Sequence, residues 1–287
     1  MILSGEPLHL GHRALLSPLI AALGVQLSEY SFANLFLFRQ IHGYRVVAEP
    51  VVHILGTTYD GRRHAMPLAP LSVLDRDTIG SLLRQADMLY PIAERDRAAA
   101  ERLDLAASAE DADADYVYAA DRLAALRGGA LKRKRSQANA FQAAEHPVAL
   151  PLGPETEAAA LAILDGWLAD VGRGPATTDY AACREALKHC AALELEGLVI
   201  LSQHGTPLGF LMAGDLADGS KAVHFAKGRR AHAGVYPWMF ARFAALSGTA
   251  RLNFEQDLGK PGFAQAKRAF DPIARLAKYR LTRSEGA

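Results

Sequence analysis

The chain has 287 residues, 50% of them hydrophobic, and a formal net charge of +1. This length suits two domains, and the apolar content excludes intrinsic disorder. The nearly neutral charge excludes general electrostatic binding to nucleic acid, so any such contact must use a local patch. The first residues, MILSGEPLHLGHR, do not read as a signal peptide. No stretch approaches the roughly 20 apolar residues of a membrane helix. We therefore expect a cytoplasmic protein with no membrane-spanning segment.

The cysteines and histidines predict no disulfide and no metal site. Cys183 and Cys190 fall on one expected helix, about 10 Å apart along its axis, which is too far for a disulfide. The ten histidines show no spacing typical of metal ligands. His9 and His12 imitate an ATP-binding signature of class I tRNA synthetases but lack the preceding strand. We expect neither a metal nor a cofactor.

In the first half, helices are predicted near residues 13–23, 32–40 and 77–86. Three strands, YRVVAE, VVHILG and RRHAMPL, lie between the second and third of these helices. An acidic segment, EDADAD at 110–115, follows, and a helix is then predicted at 131–144. The simple interpretation of the acidic segment is a solvated loop.

The helix at 131–144 opens with four adjacent cations. One interpretation is solvated surface. The alternative is contact with a nucleic acid, because neighbouring cations suit a phosphate backbone. The candidate nucleic-acid-binding residues are Lys132, Arg133, Lys134 and Arg135.

The second half has a clearer pattern. VALPL predicts a strand, two helices follow, and GLVILS, LGFLMAG and KAVHFAK predict three consecutive strands. A helix, the strand RLNFEQ, another helix and the strand LAKYRLT complete the order. This is the element order of the GNAT (N-acetyltransferase-like) fold, and the first half repeats it loosely. We predict an α/β protein with two tandem GNAT-like domains, each a mixed sheet flanked by helices. The expected boundaries are 1–125, a basic linker helix at 126–147, and 148–287, which carries the active site.

Polar side chains crowd the point where the strand RLNFEQ gives way to a helix. With a period of two, Leu252 and Phe254 face the core, whereas Asn253 and Glu255 are free to line a cleft. Asp257 follows close to the expected helix start, where a carboxylate can cap free N–H groups.

Lys267 is expected to point inward from that helix. An inward lysine needs a partner, because burying an unpaired ammonium is costly, and Glu255 and Asp257 are the nearest carboxylates in sequence. One interpretation is a structural salt bridge with a helix cap. The other is a substrate site, with Glu255, Asp257 and Lys267 as catalytic residues. The predicted buried stripe consists of Phe263, Ala266, Lys267 and Phe270.

Four segments together carry a family resemblance: SEYSFANLFLFR, DADYVYAADRLAALRGGALKRKRSQANAF, VHFAKGRRAHAGVYPWM and NFEQDLGKPGFAQAKRAFDP. They resemble the soluble family related to the C-terminal domain of phosphatidylglycerol lysyltransferase. The resemblance implies tandem GNAT-like domains and transfer of an amino acid from aminoacyl-tRNA to an amine or hydroxyl acceptor. It implies that Asn253, Glu255, Asp257 and Lys267 belong to the characteristic block of the family. The membrane-embedded portion of the lysyltransferase is absent, so a small-molecule, lipid or peptide acceptor remains open.

The main alternative is an acyl-CoA N-acyltransferase, and a third is a non-catalytic binding protein of the same fold. GNAT enzymes hold the CoA pyrophosphate on a glycine-containing loop after the fourth strand. The corresponding loop, KGRRAHAGVYPW, offers cations, but its glycines do not match the usual spacing. This favours an aminoacyl-tRNA donor. His224 lies on a strand, where a buried structural histidine is the alternative to a substrate contact. The candidate substrate-binding residues are Asn253, His224, Tyr236, Lys227, Arg229 and Arg230.

Overall fold

The computed structural model describes residues 5–284 and contains two seven-stranded mixed sheets flanked by helices, as predicted. The helices are α1 (Arg13–Leu23), α2 (Phe32–His42), α3 (Arg76–Gln85), α4 (Arg97–Arg102), α5 (Ala120–Ala124), α6 (Lys132–Glu145), α7 (Glu157–Val171), α8 (Tyr180–Lys188), α9 (Val235–Leu246) and α10 (Pro261–Arg268).

The strands of the first half are β1 (Glu6–Pro7), β2 (Arg45–Val47), β3 (His53–Thr57), β4 (Arg63–Pro67), β5 (Met88–Ile92), β6 (Leu105–Ala109) and β7 (Asp115–Ala119). Those of the second half are β8 (Val148–Pro151), β9 (Glu196–Leu201), β10 (Pro207–Asp215), β11 (Lys221–Gly228), β12 (Arg251–Asn253), β13 (Ala274–Leu276) and β14 (Tyr279–Arg283). The element order predicted for the second half is present, with β13 as an additional short strand.

Each sheet contains one parallel pair of strands. The first sheet has the order β1-β2-β3-β4-β5-β14-β6, in which β4 and β5 are parallel. The second has the order β13-β7-β12-β11-β10-β9-β8, in which β11 and β12 are parallel. Strand β7 thus lies in the sheet of the second half, and β14, near the chain end, lies in the sheet of the first. The two halves exchange one strand each, and the boundaries expected at residues 125 and 148 remain a prediction.

A hydrophobic core also joins the two halves. Leu35 and Phe36 of α2 share one cluster with Ala186 and Leu187 of α8. Beside this cluster, the Arg39 guanidinium lies 2.6 Å from the carboxylate of a residue on α8, Glu185. Within residues 5–284, no helix is long and apolar enough to cross a membrane.

The structure corrects two sequence interpretations, one of the acidic segment and one of the cysteines. The acidic segment is solvated only in its first part: Glu110 and Asp111 are exposed, whereas Asp113 and Asp115 are fully buried. Cations from the returning end of the chain neutralise them: Arg280 Nε lies 2.8 Å from Asp113, and Lys278 Nζ lies 2.7 Å from Asp115. Cys190, for its part, follows the end of α8 instead of lying on the helix, and both cysteines are free thiols.

The predicted buried stripe on α10 is wrong at Phe263 and Ala266, whereas Lys267 and Phe270 point inward as predicted. Phe263 is 51% exposed and Ala266 is exposed, whereas Phe270, just beyond the helix, is buried. The helix is only eight residues long, and its outer turns lie on the surface. Only the turn after it reaches the core, where the rings of Phe270 and Phe240 are 5.1 Å apart.

Candidate functional site

The parallel pair β11–β12 opens into a gap after two residues. Lys221 pairs with Leu252 and Ala222 with Asn253, and the strands then separate. Strand β11 continues to Gly228, while the chain after β12 follows β7. In open α/β sheets, ligands bind beyond the carboxyl ends of parallel strands where neighbouring connections diverge. This gap is therefore the place to look for a site.

Glu255 lies at the opening of the gap. Its backbone is left-handed, with φ of 57°, and its N–H donates to Asn253 Oδ1 at 2.7 Å. Its Oε1 lies 3.0 Å from Asn34 Nδ2 and 2.8 Å from His224 Nδ1. The Glu255 side chain is 16% exposed, whereas that of His224 is fully buried. One carboxylate oxygen is thus held from two sides, by α2 and by β11.

Asp257 is buried and holds the turn that follows. Its carboxylate accepts hydrogen bonds from the Tyr116 hydroxyl at 2.7 Å and from the Gly259 N–H at 2.9 Å. The N-cap of α10 is Lys260, which has no side-chain cap. The predicted helix-capping role of Asp257 is therefore wrong, because three residues of turn separate it from the helix.

Lys267 bonds backbone carbonyls instead of carboxylates. Its Nζ lies 2.6 Å from the oxygen of Phe254, 3.1 Å from that of Glu255 and 2.5 Å from that of Gln256. These three contacts use all three ammonium protons. Burial lowers the pKa of Lys267 to about 8. The lysine therefore clamps the segment that carries Glu255, and the predicted salt bridge to Glu255 or Asp257 is replaced by this clamp.

Asn253 connects the gap to a buried ionic cluster that the sequence did not reveal. Its Nδ2 donates to Asp115 Oδ2 at 2.9 Å. Lys278 Nζ lies 2.7 Å from both Asp115 and Glu29, and 3.3 Å from Gln256 Oε1. Burial raises the pKa of Glu29 to about 7, although Lys278 opposes the shift.

The residues that sequence reasoning missed are Asn34, Glu29, Asp115 and Lys278. Asn34 and Glu29 fall inside the family-like segment SEYSFANLFLFR, and Asp115 falls inside DADYVYAADRLAALRGGALKRKRSQANAF, so the family resemblance is the signal that could have indicated these three. Among the described residues around the gap, the carboxylates of Asp115, Glu255 and Asp257 outnumber the ammonium groups of Lys267 and Lys278, and Glu29 adds a carboxyl group whose raised pKa leaves it partly protonated near neutral pH. A site with this balance favours a cationic ligand.

At the end of β11 and in the loop that follows, the side chains of Lys227 and Arg229 already have carboxylate partners. Lys227 Nζ is 2.7 Å from both carboxylate oxygens of Asp179. Arg229 Nε lies 3.0 Å from Asp170, and the Arg230 N–H donates to the same carboxylate at 2.9 Å. The neighbouring Tyr236 hydroxyl accepts a hydrogen bond from the N–H of Gly228 at 3.1 Å.

Helix α6 closes over the start of α9. A Cβ added to Gly234, which has φ of 95°, would lie 2.3 Å from the backbone oxygen of Gln137. The N-terminus of α9, where a GNAT enzyme would hold a pyrophosphate, is therefore in contact with protein.

The four cations that open α6 divide into two pairs. Lys132 and Arg133 are exposed. Lys134 Nζ lies 4.4 Å from the centre of the Phe270 ring, and Arg135 donates to the Leu126 carbonyl at 2.6 Å. A groove of about 600 Å³ follows this helix, between α6, α9 and β8, and does not include Glu255.

Comparison with known proteins identifies a family for this chain. A family profile described as "Phosphatidylglycerol lysyltransferase, C-terminal" matches residues 21–282. The chain belongs to this family. The predicted family resemblance is thereby confirmed, and membership supports an acyl- or aminoacyl-transferase class. No curated protein sequence matches the chain significantly.

Solved structures show the same fold at low sequence identity. A conserved protein of unknown function from Bacteroides thetaiotaomicron has a TM-score of 0.80 and 21% identity, over 99% of this chain and 100% of that one. L-PGS from Bacillus licheniformis has a TM-score of 0.64 and 14% identity, over 100% and 95%. A tandem GNAT protein from the clavulanic acid biosynthesis pathway has a TM-score of 0.51 and 10% identity, over 97% and 95%. The predicted tandem GNAT-like fold is confirmed.

Proposed function

We propose that the protein is an aminoacyltransferase that moves an amino acid from aminoacyl-tRNA to an amine or hydroxyl acceptor. The reaction would take place in the gap between β11 and β12. The observation that carries this proposal is the excess of carboxylates around the gap, with Glu255 at its opening. The α-ammonium of an aminoacyl group is a cation, which is the kind of ligand that this charge balance favours.

Glu255 is the proposed contact to that ammonium. Its Oε1 is occupied by Asn34 and His224, whereas Oε2 accepts no hydrogen bond from the described residues. An ammonium can therefore donate to Oε2 without displacing a protein contact. Asn253 fixes the backbone N–H of Glu255, and Lys267 fixes the carbonyls around it.

The donor ester is already activated, so the enzyme needs mainly to position the reactants and to stabilise charge. The acceptor nitrogen or oxygen would form a bond to the ester carbonyl carbon, and the bond from that carbon to the tRNA ribose oxygen would break. The proton lost by the acceptor balances the one gained by the ribose oxygen. Lys267 would contribute a fixed positive charge near the reacting carbonyl.

The loop after β11 argues against acyl-CoA as the donor. Lys227 and Arg229 are paired with Asp179 and Asp170, and α6 occupies the space next to Gly234. A pyrophosphate placed there would compete with two carboxylates and with a backbone carbonyl. The alternative of an acyl-CoA N-acyltransferase therefore has less support than an aminoacyl-tRNA donor.

The start of α6 is the proposed contact to the nucleic acid. Lys132 and Arg133 are exposed, and the next residue, Lys134, lies over the ring of Phe270. Phe270 packs on Phe240, whose ring is 4.8 Å from that of Phe254, next to Glu255. A phosphate backbone bound at these cations would therefore lie on the α9 face of the second sheet, next to the residue that precedes Glu255 and opposite to the face on which α2 packs.

Calorimetry and transfer assays with the purified full chain test the proposal. A charged tRNA mixture and acetyl-CoA would each be titrated into the protein, with uncharged tRNA as the control. We expect binding of the charged tRNA and transfer of label to a nucleophile such as hydroxylamine. Binding of acetyl-CoA without tRNA binding would reverse the choice of donor. Absence of binding to both charged tRNA and acetyl-CoA would favour a non-catalytic protein.

A further inference from the structure

We infer that Asn34 and His224 are positioning residues that jointly orient the Glu255 carboxylate, one from each half of the chain. The inference rests on the proposed function, because it assigns Glu255 as the contact to the aminoacyl group. Both side chains bond the same oxygen, Oε1, at 3.0 Å and 2.8 Å. Two donors on one oxygen fix the rotation of the carboxylate and leave Oε2 directed elsewhere.

His224 is placed to act through Glu255 and not on the substrate itself. Its side chain is fully buried, and Nδ1 faces the carboxylate, so Nδ1 carries the hydrogen of that bond. Nε2 is buried and has no hydrogen-bond partner within residues 5–284. It faces Gly214, where an added Cβ would lie 3.1 Å away. Nδ1 is therefore the ring nitrogen that acts on Glu255.

Asn34 brings the first half of the chain into the site. It is buried in the first turn of α2, and its N–H donates to the hydroxyl of the N-cap, Ser31, at 3.1 Å. This cap fixes the backbone of Asn34, so its amide reaches Glu255 from a rigid element. The orientation of Glu255 therefore depends on how α2 packs against the second sheet. This dependence gives the first half a role in a site whose other residues come mainly from the second.

The test combines single and double variants. Asn34→Ala and His224→Leu each remove one donor, while His224→Asn retains an amide close to the position of Nδ1. We expect each removal to lower kcat/KM for transfer at least tenfold per folded molecule, and His224→Asn to recover most of the loss. In a Glu255→Gln background, Asn34→Ala should cause no further loss. His53→Leu is the matched control, because His53 is also a fully buried strand histidine but lies on β3 of the first sheet.

If Asn34→Ala lowers kcat/KM as much in the Glu255→Gln background as in the parent protein, the inference is overturned, because Asn34 would then act independently of the carboxylate. A His53→Leu effect equal to that of His224→Leu would also overturn it. Crystal structures of Asn34→Ala and His224→Leu provide a readout that does not need activity. We expect the Glu255 carboxylate to rotate in both, and an unmoved carboxylate in both would refute positioning. If the parent protein transfers nothing from any charged tRNA, the proposed function fails, while these structures still decide the positioning.

Discussion

Lys278 Nζ and Asp115 Oδ1 lie 2.7 Å apart, and both side chains are fully buried. Asp115 begins β7 and Lys278 immediately precedes β14, the two strands that the halves exchange. Burial alone would lower the pKa of Lys278, but the carboxylates of Asp115 and Glu29 raise it above its ordinary value. The ion pair therefore stays charged in the core and joins the two exchanged strands.

Removal of this cation should destabilise the protein strongly. Lys278→Met leaves Asp115 and Glu29 buried without their partner, and we expect a loss of about 3–5 kcal/mol in the free energy of unfolding. Chemical denaturation measures this loss. The control is Arg76→Gln, which removes an exposed ion pair with Asp104 and should cost less than about 1 kcal/mol. Equal effects of the two changes would contradict the structure.

Glu29 should make stability depend on pH in the weakly acidic range. Its pKa is raised from 4.5 to about 7 in the folded protein. The folded state therefore binds more protons than the unfolded state between these values, and stability falls as pH rises through this window. Relative to Glu29→Gln, the parent should lose up to about 3 kcal/mol between pH 4.5 and 7.

Denaturation of both proteins at a series of pH values checks this expectation. Glu194→Gln is the control, because the Glu194 side chain is 77% exposed. Parallel stability curves for the parent and Glu29→Gln would show that Glu29 does not titrate in this window.

Glu255→Gln should separate catalysis from stability. Glutamine keeps an oxygen for Asn34 and His224 but loses the charge that would bind an ammonium. We expect transfer to fall at least tenfold, about 1.4 kcal/mol of transition-state binding. The melting temperature should change little, because Lys267 bonds backbone carbonyls and keeps its partners.

Another histidine–glutamate pair provides the matched control for this change. His232 Nδ1 lies 2.7 Å from Glu145 Oε1, away from the gap. Glu145→Gln should leave the transfer rate per folded molecule unchanged. A clear drop in the melting temperature of Glu255→Gln, with an unchanged transfer rate per folded molecule, would contradict the proposal that Glu255 belongs to a substrate site.

Two of the four cations on α6 are exposed, which reduces the expected effect of that basic run. Changing Lys132 and Arg133 to glutamine should weaken tRNA binding and lower the slope of log K against log salt by about 2 units, near 0.9 per phosphate contact. Changing the exposed Arg76 and Arg97 instead should leave the slope unchanged. If the slope of log K against log salt is unchanged in the Lys132 and Arg133 variant, these cations do not contact tRNA and are ordinary solvated surface residues.

Local pattern alone was enough to predict most of the elements around the site. The helix predicted near 13–23 is α1, Arg13–Leu23, and the three consecutive strands predicted in the second half are β9, β10 and β11. Alternation along RLNFEQ correctly put Leu252 and Phe254 in the core, and both are buried. These predictions succeed because a repeat of 2 or 3.6 residues depends only on near neighbours in the chain.

The partners of the polar groups were decided by the tertiary structure. Asn34 and Glu255 are 221 positions apart, and they meet because α2 packs against the second sheet. Asp115 and Asp113 can be buried because Lys278 and Arg280 return beside them. A lysine such as Lys267 has a long side chain, so its sequence neighbours cannot show whether it reaches a carboxylate or a carbonyl. Burying a charge is favourable only when a compensating group is present, and strand exchange between the two halves brings most of those groups from distant parts of the chain.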